Sequence, residues 1–171
     1  YGVTEGYQPL RQWIADDLQH SGIQREGDDT IVISGGQQAL DFTAKCLLND
    51  GDTVLTEAPT FLNALNTFRT YGARIVGVPM DGEGMDMDAL EQALRLEKSV
   101  KFIYTIPNFQ NPMGVTLSAA RRRRMYDLAE QYDVMILEDD PYGRLRYSGT
   151  PVEAIKTLDR SERVIYTGSF S

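Results

Sequence analysis

Two kinds of hydrophobic pattern alternate along the chain. Short runs rich in β-branched and apolar residues, about five to seven residues long, predict strands. Longer stretches between them have apolar residues at helical spacing and predict amphipathic helices. Such an alternation is typical of a parallel sheet covered by helices. We therefore predict an α/β fold of three layers, in which a mostly parallel central sheet has helices on both faces.

The same pattern gives the approximate positions of the elements. Strands are predicted at residues 30–34, 53–57, 74–78, 101–106, 134–137 and 163–167. Helices are predicted over residues 9–22, from the Gly35-Gly36 turn to residue 48, and over 61–71, 87–96 and 118–132. Asp139-Asp140-Pro141 should break the fifth strand, and residues 81–84 should form a turn. No repeat or linker interrupts the pattern, so residues 1–171 are expected to belong to one domain.

Composition and charge narrow the class of protein. The formal net charge is −8, from 25 acidic and 17 basic residues, so the surface should repel nucleic acid. The local exception, Arg121-Arg122-Arg123-Arg124, is predicted to be a solvated helix face with one or two ion pairs. No membrane-spanning run or signal peptide is visible, so we expect a soluble, cytoplasmic protein.

Only one cysteine and one histidine are present. Cys46 lies in the apolar stretch 42–48 and is predicted to be a core residue, and His20 has no second ligand-type partner. Common zinc sites and cysteine-histidine catalysis therefore lack support, and no metal site is predicted.

Polar clusters follow the predicted strands. They are Gly35-Gly36-Gln37-Gln38, residues 108–111, Glu138-Asp139-Asp140, and Gly168-Ser169-Phe170-Ser171. The carboxyl edge of an open α/β sheet is where ligands bind, so the clusters predict one shared crevice.

Two of these clusters have a chemical interpretation and a structural alternative. The Gly35-Gly36-Gln37 turn opens a helix and could bind a phosphate, or its glycines could serve the turn geometry alone. Asp139 ends a buried strand and needs a cation or several donors to stay ionised, or it could serve as a cap or turn residue.

Six motifs in order resemble the fold-type I pyridoxal-phosphate (PLP) enzymes of the class I/II aminotransferase group. The resemblance spans the whole chain and is closest to 2-aminoadipate and kynurenine aminotransferases and to the aminotransferase-like domains of some bacterial regulators. The motifs are Tyr1 with Gly6 and Pro9-Leu10-Arg11, Ser34 to Gln38, Glu57-Ala58-Pro59-Thr60-Phe61, Asn108 to Gly114, Glu138 to Tyr142, and Gly168 to Ser171.

The resemblance implies PLP as cofactor and a role for each matching residue. Gly36, Gln37, Ser169 and Ser171 would hold the phosphate, and Phe61 would stack on the pyridine ring. Asn111 and Tyr142 would contact the phenolic oxygen, while Asp139, the catalytic residue, would pair with the ring nitrogen. Tyr1 would reach the phosphate in a neighbouring subunit, which implies a homodimer.

The sequence departs from the family pattern at three places. Phe61 and Met113 replace the usual Tyr and Thr, but both changes leave the cofactor contacts in place. In the family a Schiff-base lysine follows Gly-Ser-Phe-Ser, whereas position 171 is the last here. None of Lys45, Lys98, Lys101 and Lys156 is predicted to lie near the crevice. We expect the natural protein to continue through that lysine and a small C-terminal domain, and residues 1–171 alone to be inactive.

Two functions stay open on this basis. The first is an aminotransferase acting on an amino acid and a 2-oxoacid. The second is an aminotransferase-like sensing domain of a transcription regulator, with a DNA-binding domain before Tyr1. Only such a domain would make nucleic acid a partner.

Overall fold

The computed structural model describes residues 2–170, in which strands and helices alternate along most of the chain after the second helix. Within this range the α-helices are α1 Gln8–His20, α2 Gly36–Leu47, α3 Leu62–Thr70, α4 Met87–Leu96 and α5 Ala119–Tyr132. The strands are β1 Thr53–Ala58, β2 Arg74–Asp81, β3 Gly84–Met85, β4 Val100–Thr105, β5 Met135–Asp140 and β6 Val164–Gly168. Short 3₁₀ turns span Gly143–Leu145 and Ile155–Leu158.

The strands in residues 2–170 form one six-stranded sheet in the order β3-β2-β1-β4-β5-β6. β1 pairs in parallel with β2 on one side and with β4 on the other, and the parallel pairing continues through β5 to β6. Only the edge strand β3 runs antiparallel to its neighbour, β2. The carboxyl ends of β1, β4, β5 and β6 consequently meet at one edge of the sheet.

Alternate residues of the parallel strands contribute to two different apolar cores. Leu55 and Ile136 pack with α4 and α5 on one face, while Val54 and Leu137 pack with α2 and α3 on the other. Because successive side chains of a strand point to opposite faces, two cores on one sheet require a helix layer on each side. The predicted three-layer α/β architecture is confirmed.

Two strand predictions need correction. Residues 30–34 do not form a strand, because no strand of residues 2–170 pairs with them; the Val32 N–H bonds instead to the Glu5 carbonyl at 2.9 Å. β5 does not end before Asp139, because Asp139 and Asp140 pair with Thr167 and Gly168 of β6.

Helix faces also differ from the predictions. Cys46 is exposed and not part of the core, since the buried residues of α2 are Leu40, Thr43 and Ala44, and Cys46 lies about 200° around the helix from Ala44. In α1 no residue is buried, although its apolar stripe predicted a packed face; the Trp13 ring instead lies 5.9 Å from the ring of Phe170.

None of the helices in residues 2–170 combines the length and the apolar character that crossing a membrane requires.

Candidate functional site

The carboxyl edge of the sheet has a topological switch point at β1. The chain passes from β1 to β2 on one side, and then returns to place β4 on the other side of β1. Connections that leave adjacent strands in opposite directions open a crevice between them, and ligands of open α/β sheets bind there. The segments around this crevice are those after β1, β4, β5 and β6, which contain most of the residues singled out in the sequence.

Asp139 is a buried acid at this edge. The residue is 8% exposed, and the Tyr104 hydroxyl donates a hydrogen bond of 2.8 Å to its Oδ2 atom. Burial raises the pKa of Asp139 to about 6; the Tyr104 hydrogen bond lowers it, and the nearby Asp140 charge raises it further. A carboxylate desolvated to this degree is stabilised by a cationic partner at its other oxygen.

Asp139 and α2 share one face of the sheet. Asp139 is two residues beyond Leu137, which packs against α2 and α3, so both side chains point to that face. The Gln37 amide donates to the Thr67 hydroxyl, and the Tyr71 hydroxyl donates to Asp41 at 2.8 Å. These contacts occur in the same order along both helices, so α2 and α3 run in the same direction. Because α3 begins just after the carboxyl end of β1, the N-terminus of α2 also lies toward the carboxyl edge.

The N-terminus of α2 is open to solvent. Gly35 is its N-cap, with a φ of 76° and no side-chain cap, and a Cβ added at Gly36 would meet no atom within 4 Å. The first N–H groups of a helix have no intrahelical acceptor, and the helix dipole makes this end positive. An anion at this position would therefore be stabilised.

The other predicted cofactor residues that the structure describes lie at the same edge. Phe61 and Tyr142 are half-buried and pack against the apolar core on the α2 and α3 face. Asn111 is half-buried in the loop after β4, and Ser169 directly follows β6. Tyr1 and Ser171 lie outside the described residues.

Glu57, at the end of β1, is a buried acid to which the sequence analysis gave no role. Its carboxylate, in a residue only 2% exposed, accepts hydrogen bonds from the Thr105 hydroxyl at 2.6 Å and from the Gln110 amide at 2.9 Å. Burial raises the pKa of Glu57 to about 7 against the opposing effect of these donors. The signal that singled out Asp139, an acid at the end of an apolar strand, was also present for Glu57.

A second polar network joins the ends of β4, β5 and β6. The Asp140 carboxylate accepts hydrogen bonds from the Asn108 amide at 2.8 Å, from the Gly143 N–H at 2.9 Å and from the Tyr166 hydroxyl at 3.2 Å. Asn108 in turn accepts from the Arg122 guanidinium at 2.8 Å. This network fixes the turn that contains Tyr142.

The predicted solvated face of arginines is correct only in part. Arg121 and Arg124 form ion pairs with Asp81 and Glu91. Arg122, in contrast, is 1% exposed, and its guanidinium donates to the carbonyls of Leu117 and Pro107, each at 2.9 Å. Its position on the inner side of α5 explains why it is buried, since Met125 and Ala129 of the same helix face are core residues.

Known proteins show the same fold and sequence features along the whole chain. The family model for aminotransferase class I and II matches residues 1–171. Aromatic-amino-acid aminotransferase 1 of Thermococcus litoralis is 49% identical over all of this chain and 42% of its own length. The uncharacterized HTH-type transcriptional regulator YisV of Bacillus subtilis is 34% identical over all of this chain and 35% of its own length.

The solved structures agree with these matches. Kynurenine aminotransferase of Pyrococcus horikoshii, crystallised in complex with PMP, superposes with a TM-score of 0.96 at 46% identity, over all of this chain and 43% of that one. The chain thus spans about two fifths of the length of the enzymes it matches. A family match over every residue, together with the parallel sheet and its buried acid at the carboxyl edge, leaves one assignment: the chain belongs to the class I and II aminotransferase family.

Proposed function

We propose that this chain is most of the cofactor-binding domain of a PLP-dependent aminotransferase, which transfers an amino group between an amino acid and a 2-oxoacid. The observation that carries the proposal is the Asp139 carboxylate, which is buried at the ligand-binding edge with a neutral hydroxyl, that of Tyr104, as its donor among the described residues. The family match and the aminotransferases among its relatives support the same function.

The environment of Asp139 fits a protonated pyridine nitrogen. Tyr104 occupies Oδ2, and no hydrogen bond within residues 2–170 reaches Oδ1 from a side chain. A positive N–H donor at Oδ1 would offset the cost of burying the charge and keep the carboxylate ionised. When bound, PLP supplies an electron-withdrawing ring that stabilises negative charge at the substrate α-carbon, and Asp139 would maintain the protonation on which this depends.

The remaining residues have roles in holding and orienting the cofactor. The backbone of Gly36, the side chain of Gln37 and the hydroxyls of Ser169 and Ser171 would bind its phosphate at the positive end of α2. Phe61 would cover one face of the ring and exclude water there, a role that needs an aromatic face but no hydroxyl. Asn111 and Tyr142 would contact the phenolic oxygen and so fix the orientation of the pyridine ring relative to Asp139.

The activity requires parts beyond residues 1–171. We propose that the full-length protein includes a Schiff-base lysine next to Ser171, an arginine for the phosphate and a small C-terminal domain for the substrate carboxylate. It would act in the cytoplasm as a homodimer in which Tyr1 contacts the phosphate of the neighbouring subunit. The coverage of about two fifths of the relatives' length is consistent with this organisation.

Replacement of Asp139 tests the proposal in the full-length protein. Asp139→Asn should lower kcat for amino transfer about 100-fold or more and shift the visible absorption of bound PLP, because a neutral amide cannot hold the ring nitrogen protonated. Asp127→Asn, at an exposed position of α5, is the matched control and should change neither. The proposal fails if the two variants have equal activity and equal spectra.

A second candidate function has its own support, the 34% identity to a transcription regulator over the whole chain. The chain would then bind PLP and an effector without completing amino transfer. A DNA-binding domain preceding Tyr1 would distinguish this function. A gel-shift measurement of the full-length protein on its own upstream DNA, with and without PLP, would detect it, whereas rapid amino transfer without DNA binding would exclude it.

A further inference from the structure

Gln110 lies at the centre of the loop between β4 and α5 and is 1% exposed. Its Nε2 atom donates to the Glu57 carboxylate and to the Pro59 carbonyl, both at 2.9 Å. Its Oε1 atom accepts from the N–H of Met113 at 3.0 Å. Both donor hydrogens and the acceptor of this amide are therefore used, in a site where any polar group left without a partner is costly.

Glu57 is held just as firmly on its other side. The Thr105 hydroxyl donates to Oε1 at 2.6 Å, and the Ile106 N–H lies 3.2 Å and 3.3 Å from the two carboxylate oxygens. These donors belong to the end of β4, while Glu57 belongs to the end of β1. The Glu57–Gln110 pair thus ties together the two strand ends at the switch point and the loop that follows one of them.

The two tied segments continue directly into two proposed cofactor contacts. Pro59, whose carbonyl Gln110 binds, is two residues before Phe61, and Gln110 itself precedes Asn111. We propose that the Glu57–Gln110 pair is a positioning unit that fixes Asn111 relative to Phe61. In the proposed site, Asn111 contacts the edge of the cofactor ring and Phe61 covers its face. This inference rests on the proposed function and assigns to Gln110 and Glu57 a role in orientation, with no contact to the cofactor.

Variants of Gln110 test this role through two measurements besides activity. In the full-length protein without cofactor, Gln110→Met should speed amide hydrogen exchange at Met113 about tenfold, because the acceptor of this N–H is lost. With PLP bound, the pH midpoint of the visible absorption should move to higher pH, because a misplaced Asn111 stabilises the ionised phenolic oxygen less. Gln92→Met, on the exposed side of α4, is the control and should change neither quantity.

A double-mutant cycle tests whether the two residues act as a unit. Glu57→Gln and Gln110→Met should each weaken PLP binding about tenfold, and the double variant should lose little more than either single one, because both remove the same connection. Fully additive losses would show that the residues act separately and would overturn the inference.

The outcomes separate this inference from the proposed function. If wild-type protein binds no PLP, the proposed function fails and the inference with it. If wild type binds PLP but Gln110→Met matches Gln92→Met in both measurements, only the inference is overturned. Should Gln110→Met not fold, Gln110→Asn replaces it, because this change keeps the amide but shortens its reach by one methylene; Gln92→Asn is then the control.

Discussion

Three acids buried at the carboxyl ends of β1 and β5 differ in their hydrogen-bond donors. Glu138 accepts the N–H groups of Ile155 and Lys156, each at 2.8 Å, and Glu57 accepts side-chain and backbone donors from the end of β4. Asp139 has a single side-chain donor, the Tyr104 hydroxyl, among the described residues. Burial raises the pKa of all three acids, but only Asp139 has a carboxylate oxygen left for a ligand.

Glu138 should make stability fall as pH rises. Its pKa is raised from 4.5 to about 7 in the folded protein, mainly by burial, so between these values the folded state binds more protons than the unfolded state. The free energy of unfolding should therefore decrease from pH 4.5 to 7, and Glu138→Gln should remove at most about 3 kcal/mol of this decrease. Urea unfolding at pH 5 and pH 8 measures it.

The exposed Glu26 provides the control for this measurement. Glu26→Gln should leave the difference between the two pH values as in the wild type, because a solvated carboxyl changes its environment little on folding. An equal pH dependence in wild type and Glu138→Gln would contradict the prediction.

At the scale of elements, the pairing of strands determines which predicted segments become regular structure. The hairpin of β2 and β3 has only the residue pairs Met80–Met85 and Asp81–Gly84, so its short second strand had no pattern of its own in the sequence. Gly84 has a φ of +99°, and a Cβ added there would lie 2.8 Å from Leu117 Cδ1 and 3.0 Å from Leu117 Cα. The hairpin thus packs directly against the segment that precedes α5.

Gly84→Ala should destabilise the protein by about 2 kcal/mol, because it combines an unfavourable backbone conformation with a steric clash. Gly82→Ala, in the same turn, is the control, since a Cβ at Gly82 would meet no atom within 4 Å. Thermal unfolding of both variants tests this: the Gly84 variant should melt several degrees lower, and equal melting temperatures would count against the proposed clash.

At the scale of the whole molecule, Arg122 connects segments distant in sequence. Its guanidinium donates to carbonyl groups of the loop after β4. It also donates, at 3.0 Å, to the carbonyl of Glu153, a residue between β5 and β6. Burial lowers the pKa of Arg122, and the charges of Glu138 and Asp140 oppose this effect. One side chain thus satisfies carbonyl groups from two segments that are far apart in the sequence.

Arg122→Ala should lower the free energy of unfolding by about 3 kcal/mol, since it leaves several buried carbonyl groups and Asn108 without their donor. The adjacent exposed Arg123 provides the control, and Arg123→Ala should change stability by less than about 0.5 kcal/mol. Chemical denaturation of the two variants measures both values. A loss below about 1 kcal/mol for Arg122→Ala would refute the connecting role.

Periodicity alone determined much of the fold. The short, continuously apolar strand runs and the helical spacing between them predicted the parallel three-layer architecture, because a strand buried on both faces needs apolar residues along its whole length. The sequence also located Asp139, since an acid at the end of an apolar strand needs a partner, and the ordered motifs indicated the family.

Only the tertiary structure decided which groups pair across the sheet. The partners of Asp139 and Glu57, namely Tyr104 and Gln110, lie 35 and 53 positions away in the chain, and no local pattern encodes a hydrogen bond over such a separation. The same holds for Arg122, which is buried because its face of α5 meets the core. It also holds for residues 30–34, which are β-rich but form no strand because no neighbouring strand pairs with them. Local sequence sets the conformational preference of a segment, whereas burial and pairing depend on what folding brings next to it.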